Sequence, residues 1–75
     1  MKIYEIVNYY SDHGESLEAR EVLARYRDEN NAVDRFWKIA QGLGVDLAED
    51  ARYFEVNTPA LEQDYYQLEG HETDD

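Results

Sequence analysis

Cysteine is absent from this chain, proline occurs once and glycine four times. Without cysteine the chain has neither a disulfide framework nor a thiolate zinc site, and it is compatible with a reducing, intracellular compartment. Long apolar runs are also absent. The run within residues 3–7 is far too short for a signal peptide or a membrane span.

Basic residues are scarce, and almost all of them lie in the first half of the chain. Residues 1–39 contain eight acidic and six basic residues, whereas residues 40–75 contain ten acidic residues and only Arg52. The formal net charge is −11. Because nucleic acids and anionic membranes both repel so acidic a chain, we expect no direct binding to either.

What is present suffices for one small domain, since 43% of the 75 residues are hydrophobic. That share is close to the average for globular proteins and argues against wholesale disorder. We predict a single domain over residues 1–69 and a flexible acidic tail over residues 70–75. A compact domain of this size is about 29 Å across, so its net charge is about two-thirds of that of duplex DNA over the same length.

Two segments near the start of the chain predict strands. Residues 2–10 are rich in Ile, Val and Tyr and carry apolar side chains on both faces, as a central strand does. After a turn at Gly14, residues 17–27 alternate as a long strand, although their apolar residues also have helical spacing. We favour the strand, because it gives the first strand a neighbour, and keep the helix as the alternative.

The clearest element is a helix over residues 29–41. Asp28 has the right character for its N-cap, and Gly42 and Gly44 supply the stop. One apolar stripe runs along it, as expected for a helix packed on a sheet. The stripe consists of Ala32, Val33, Phe36, Trp37, Ala40 and Leu43.

The remaining segments complete an α+β prediction. Residues 52–57 read as a strand with Phe54 on its core side, and Thr58-Pro59 ends it. Residues 60–68 predict a short helix or an irregular segment. The expected fold is a small antiparallel sheet in β-β-α-β order with one main helix packed on one face, followed by an acidic C-terminal segment.

No arrangement of residues in the sequence predicts catalysis. Ser11 and Ser16 lie near His13 in one turn, but no nucleophile elbow, phosphate-binding loop or dinucleotide fingerprint is present. Two His-containing clusters match neither an EF-hand loop nor a zinc-binding helix. The first cluster comprises Asp12, His13 and Glu15, and the second comprises His71, Glu72, Asp74 and Asp75. We predict that the protein is not an enzyme, that it binds no cofactor and that neither cluster is a metal site.

Aromatic residues come mostly as adjacent pairs, and neighbours on a strand point to opposite faces. With a helix on only one face, Tyr9 or Tyr10, and Tyr53, should be partly exposed. Tyrosine is common in interfaces, and exposed tyrosines among carboxylates suit a basic, Arg-rich partner. The predicted partner-binding residues are Glu49, Asp50, Tyr53, Glu55, Glu62, Asp64, Tyr65, Tyr66 and Glu69.

A small, cysteine-free, strongly acidic domain with this layout resembles the anti-defence proteins of phages and mobile elements, which include anti-CRISPR and DNA-mimicking anti-restriction proteins. The resemblance covers the whole chain and rests on size, charge and layout, without a shared motif. It implies a non-enzymatic inhibitor in the cytoplasm of an infected or element-carrying bacterium. The implied partner is a basic, nucleic-acid-binding CRISPR–Cas or restriction complex, with the acidic side chains standing in for phosphates.

A second interpretation of the same features is a small structural or regulatory module. Such a module would form a homodimer through an open sheet edge or through the exposed tyrosines. The two hypotheses differ in one prediction: the inhibitor binds the basic cleft of a nucleic-acid-binding protein, and the homodimeric module has no affinity for such a cleft.

Overall fold

In the part of the chain that the structure describes, four antiparallel strands form one sheet, and a single helix packs on one of its faces. The structure is a computed structural model that describes residues 1–12 and 18–73, without the side chains of Asp12 and Glu62. The sheet has the order β2-β1-β4-β3. The α+β prediction is confirmed. Its elements are β1 (Lys2–Asp12), β2 (Ala19–Tyr26), α1 (Glu29–Gly42), β3 (Tyr53–Glu55) and β4 (Leu61–Glu72).

The centre of the sheet joins the two ends of the chain. Strands β1 and β4 pair along their whole length, from Lys2 opposite Glu72 to Asp12 opposite Leu61. Beyond this ladder, the backbone N–H of Thr73 donates to the carbonyl of Met1 at 2.8 Å. Strand β1 lies between β2 and β4, so its backbone is hydrogen-bonded on both sides, as predicted for a central strand.

Strand β4 corrects two predictions. Residues 60–68 were expected to form a short helix or an irregular segment, but from Leu61 onward they belong to a strand. A flexible tail from residue 70 is wrong for residues 70–72, which pair with β1. Residues 74–75 lie outside the description. Within the described residues, the element order is therefore β-β-α-β-β.

Strand β2 confirms the preferred interpretation of residues 17–27 over its described part. Its register against β1 shifts between Ile6 and Val7, so that Ile6 faces Ala24 and Val7 faces Val22. Leu23 is the extra residue at this irregularity and stays 42% exposed. A bulge of this kind increases the local twist of a sheet edge, which protects it from pairing with another chain.

The helix α1 begins and ends close to the predicted positions. The Asp28 carboxylate caps it by accepting hydrogen bonds from the backbone N–H groups of Asn30 at 2.8 Å and Asn31 at 3.4 Å. Gly44, just past the C-cap residue Leu43, has a φ of 75°. Glycine adopts that left-handed conformation without a steric penalty, so it ends the helix here. No helix among the described residues is long and apolar enough to cross a membrane.

The core lies between α1 and one face of the sheet. Phe36 of the helix is 1% exposed and packs against Phe54 of β3, with ring centroids 5.1 Å apart. Phe54 also stacks on Tyr66 of β4 at 5.0 Å. The predicted core side of β3 is thus confirmed, whereas Trp37 lies at the margin of the helix stripe and is 37% exposed. The buried cluster comprises Ile6, Ala32, Phe36, Ala40, Phe54 and Leu68.

No helix of the described residues covers the opposite face of the sheet, and we call it the open face. Side chains alternate between the two faces of a strand, so the neighbours of the core residues along each strand belong to it. Here the expected exposure of Tyr53 is confirmed at 46%. From the strand registers, the open face carries Glu5, Val7, Tyr9, Arg20, Arg25, Tyr53, Glu55, Tyr65, Gln67, Glu69 and His71.

Candidate partner-binding site

The open face has two chemically different regions. The first, which we call the ion-pair cluster, lies on β1, β2 and β4 and comprises Glu5, Tyr9, Arg20, Arg25, Glu69 and His71. The second, which we call the tyrosine–acid pocket, lies where β3 meets β4. It is lined by Tyr53, Glu55, Val56, Asn57, Gln63, Asp64 and Tyr65.

Strand register creates the ion-pair cluster. Glu5 lies directly opposite Glu69 on one side and Arg25 on the other. Two facing carboxylates repel each other, so this pairing needs cations nearby. Arg25 binds Glu5 at 2.6 Å, and Arg20 bridges both carboxylates, at 3.6 Å from Glu5 and 3.1 Å from Glu69. His71 lies 3.1 Å and 3.0 Å from the same two groups.

Glu69 is a carboxylate of this cluster that is mostly buried and paired with Arg20 and His71. Its side chain is only 14% exposed. Burial raises the pKa of Glu69, but hydrogen bonds from Tyr9, Arg20 and His71 outweigh that effect and lower the pKa below its ordinary value. The same hydrogen bond from Tyr9 to Glu69 raises the pKa of the Tyr9 phenol. Glu69 is thus a structural anion whose charge is already compensated.

Three ligand atoms of the cluster have a separation that suits a metal ion, because Glu5, Glu69 and His71 each offer one within 4.8 Å of the others. The Arg20 guanidinium already binds both carboxylates. A divalent cation would have to displace it, so the geometry describes a salt-bridged cluster first. The two predicted histidine clusters differ from this one: His71 belongs here, while His13 and Glu15 lie outside the described residues.

The tyrosine–acid pocket is built on the β3–β4 hairpin. Pro59 sits in a turn in which the backbone N–H of Leu61 donates to the carbonyl of Thr58 at 3.1 Å. Asp64 fixes this turn, since its carboxylate accepts from the Thr58 hydroxyl at 2.9 Å and from the Asn8 amide at 2.7 Å. Asp64 therefore holds the hairpin in place. The pocket beside it has a volume of about 450 Å³.

Two tyrosine rings form the aromatic wall of the pocket. Tyr65 stacks on Tyr9 of the ion-pair cluster, with centroids 5.0 Å apart and planes at 18°, and this fixes the Tyr65 ring from behind. The Tyr53 ring packs against the Tyr65 ring, with centroids 5.3 Å apart and an angle of 44° between the ring planes. Burial and a hydrogen bond to Glu18 raise the pKa of Tyr65.

Glu55 is the exposed carboxylate of the pocket. The Tyr53 hydroxyl donates to Glu55 Oε1 at 2.6 Å, which raises the pKa of Tyr53 to about 12. Among the described residues, no basic side chain forms an ion pair with Glu55. The nearest base along the chain, Arg52, points to Glu29 at 3.9 Å.

The structure brings together only some of the predicted partner-binding residues. Tyr53, Glu55, Asp64 and Tyr65 line the pocket. Tyr66 does not belong to this surface, because it stacks on Phe54 on the helix-covered face. Of the others, Glu69 lies in the ion-pair cluster, Glu62 has no described side chain, and Glu49 and Asp50 lie ahead of β3.

Glu49 and Asp50 occupy the middle of a turn. The backbone N–H of Ala51 donates to the carbonyl of Ala48 at 3.1 Å, and this bond closes the turn around the two acidic residues. Both side chains are exposed. Only two residues, Ala51 and Arg52, separate Asp50 from Tyr53, so at most about 11 Å of chain joins this turn to the pocket.

Sequence reasoning missed Asn57 and Gln63 of the pocket wall. It also missed the tyrosine–glutamate hydrogen bond. The signal for that bond was present, because Tyr53 and Glu55 are two apart on a strand and therefore share a face. The stack of Tyr9 on Tyr65 had no local signal, since its residues are far apart in the sequence.

Comparison with known proteins adds no relative. No protein-family model, curated protein or solved structure matches this chain.

Proposed function

We propose that this protein is a non-enzymatic inhibitor that binds a basic, nucleic-acid-binding complex of a host defence system, CRISPR–Cas or restriction, and blocks its access to DNA. The proposal places it in the cytoplasm of an infected or element-carrying bacterium. It rests on one observation above all. The acidic residues around β3 are exposed and uncompensated, whereas those of the ion-pair cluster are neutralised within the molecule.

Three exposed carboxylates carry the proposed interaction. Glu49, Asp50 and Glu55 form no ion pair among the described residues. The negative field of these carboxylates steers a basic cleft toward them. Binding of a basic partner then relieves the repulsion between the like charges. Asp64 and Glu69 serve the fold instead, so we leave them out of the binding set.

The shape of the molecule sets the scale of the mimicry. Its longest axis is 39 Å, longer than the 29 Å diameter expected of a compact sphere. Duplex DNA carries about 23 phosphate charges over 39 Å, so the net charge of −11 amounts to about half that density. The charge is also uneven. The region around β3 would therefore cover a limited stretch of a DNA channel.

A competition assay tests the proposal. Immobilised protein captures complexes from nuclease-treated bacterial lysate, and the captured complex is then eluted at high salt, freed of the protein and loaded with fluorescent DNA. We expect the wild-type protein to displace the DNA, and the triple variant E49K/D50K/E55K to need a concentration about tenfold or more higher. The control is E21K/D34K/E72K, which changes exposed acids elsewhere by the same total charge. Equal loss in both variants would show that net charge alone matters, and a captured complex that keeps its DNA would refute the inhibitor.

The alternative is a homodimeric module. Strand β2 is an edge strand of eight residues with one side unpaired among the described residues, which favours it, although the bulge in β2 works against such pairing. The charge of −11 opposes self-association. Sedimentation at near-physiological salt distinguishes the two: we expect a monomer, and a stable dimer with no capture of DNA-binding complexes would favour the module.

A further inference from the structure

On the open face, one tyrosine–glutamate pair already binds an arginine side chain of the same molecule. In the ion-pair cluster, the Tyr9 hydroxyl donates to Glu69, and Arg20 binds the pair. The Arg20 guanidinium lies 5.9 Å from the centroid of the Tyr9 ring, donates to the Tyr9 hydroxyl at 3.2 Å and reaches Glu69 Oε1 at 3.1 Å. Ring, hydroxyl and carboxylate thus hold one guanidinium.

The tyrosine–acid pocket repeats the first two parts of that unit. The Tyr53 hydroxyl donates to Glu55, as the Tyr9 hydroxyl donates to Glu69. No guanidinium fills the third place among the described residues, since the one nearby arginine, Arg52, pairs with Glu29. A cavity of about 450 Å³ lies at this position instead.

We propose that the tyrosine–acid pocket binds an arginine side chain of the partner protein. This inference rests on the proposed function, because it assigns the side chain by which a basic partner is anchored. The guanidinium would stack on the Tyr53 and Tyr65 rings and donate to Glu55. A guanidinium stacks on aromatic faces better than an ammonium does, and it also matches the geometry of a carboxylate better.

Several features of the pocket favour arginine over lysine. The orientation of the Tyr65 ring in the pocket wall is held by its stack on the Tyr9 ring. Arginine has five N–H donors in a planar fork, and the wall contains Glu55, Asn57 and Gln63, whose side chains carry oxygen acceptors. Lysine has three donors and holds its hydration shell more tightly.

Short peptides test the pocket without a partner protein. The probes are acetyl-Gly-X-Gly-amide peptides in which X is arginine, lysine or citrulline, the neutral isostere of arginine. Binding is followed by NMR of ¹³C-labelled tyrosine rings at constant ionic strength. We expect the arginine peptide to shift the Tyr53 and Tyr65 signals in a saturable way, the lysine peptide to bind more weakly and the citrulline peptide to leave them in place. Tyr4 and Tyr26, which pack on the other face, should not respond.

Matched variants locate the binding. E55Q removes the carboxylate charge and should weaken the arginine peptide by about tenfold, the effect of losing one charge-assisted hydrogen bond. E21Q removes one exposed charge elsewhere and should leave the affinity unchanged. Equal shifts with arginine and citrulline, or equal affinity of E55Q and the wild-type protein, would overturn the inference.

The two proposals fail in different ways. If the peptides show no arginine preference while the wild-type protein still displaces DNA from a captured complex, the pocket assignment is wrong and the inhibitor stands. If arginine binds and no DNA is displaced, the pocket stands and the inhibitor is wrong.

Discussion

The ion-pair cluster and the tyrosine–acid pocket lie on the same face of the same sheet and use the same residue types. In one, arginines from β2 neutralise Glu5 and Glu69. In the other, Glu55 bonds only to a tyrosine hydroxyl among the described residues. The comparison teaches that the number of acidic residues says little about their role. Strand register decides which carboxylates meet a cation within the fold and which remain for a partner.

The largest difference should appear in stability. E69A removes a carboxylate that is 14% exposed and accepts from Tyr9 and Arg20. We expect the free energy of unfolding to fall by about 1–2 kcal/mol, with a melting temperature lower by roughly 5–10 °C. E55A, the same change in the pocket, should stay within about 0.5 kcal/mol of the wild-type protein. Urea unfolding measures both, and equal losses would erase the distinction between the regions.

The stability of the protein should depend on pH through Glu69. The pKa of Glu69 is lowered in the folded state, so folding favours its ionised form. Its contribution is fully present above the unfolded pKa of about 4.5 and is lost as pH falls through the lower folded value. The wild-type protein should therefore be more stable than E69Q at neutral pH, and the two should converge in acid. A gap that persists unchanged in acid would show that Glu69 acts through shape rather than charge.

A smaller effect should appear at alkaline pH. The hydrogen bond to Glu55 raises the pKa of Tyr53 to about 12. The neutral phenol is therefore favoured in the fold, so this contribution is present below the unfolded pKa of 10.0 and is lost as pH rises through about 12. In E55Q, Tyr53 should titrate closer to 10.0. Ring ¹³C shifts measure this, and a Tyr53 that titrates near 10.0 in the wild-type protein would mean that the bond to Glu55 does not form.

Much of the fold could be predicted from local patterns. The helix has a cap at Asp28, an apolar stripe and a glycine stop, and each of these signals acts within a few residues. Strand β1 reads as central because it is apolar on both faces. Strand β4 was missed, because its apolar residues alternate for only a short stretch around Tyr66 and Leu68. Its pairing with β1 supplies what local propensity lacks.

Local patterns also predict part of the candidate site, namely the residues whose position follows from alternation along one strand. Tyr53 and Glu55 follow from the alternation of a strand that was recognised. The sequence predicts both Tyr65 and Tyr66 as partner-binding residues, but on β4 they point to opposite faces, and only Tyr65 lines the pocket. Glu69 was assigned to the acidic surface because the compensating Arg20 lies 49 residues away in the sequence. No local pattern reveals a cross-strand partner at that distance.

One pair of substitutions tests the central claim most directly. E55Q and E69Q remove the same charge by the same chemical change, one from the pocket and one from the ion-pair cluster. The measurement is the concentration of each variant that displaces half of the fluorescent DNA from the captured complex. We predict that E55Q needs about tenfold more protein than the wild type while E69Q, at a temperature where it is folded, matches the wild type. Equal effects of the two substitutions would contradict the claim that the uncompensated carboxylates around β3 bind the partner.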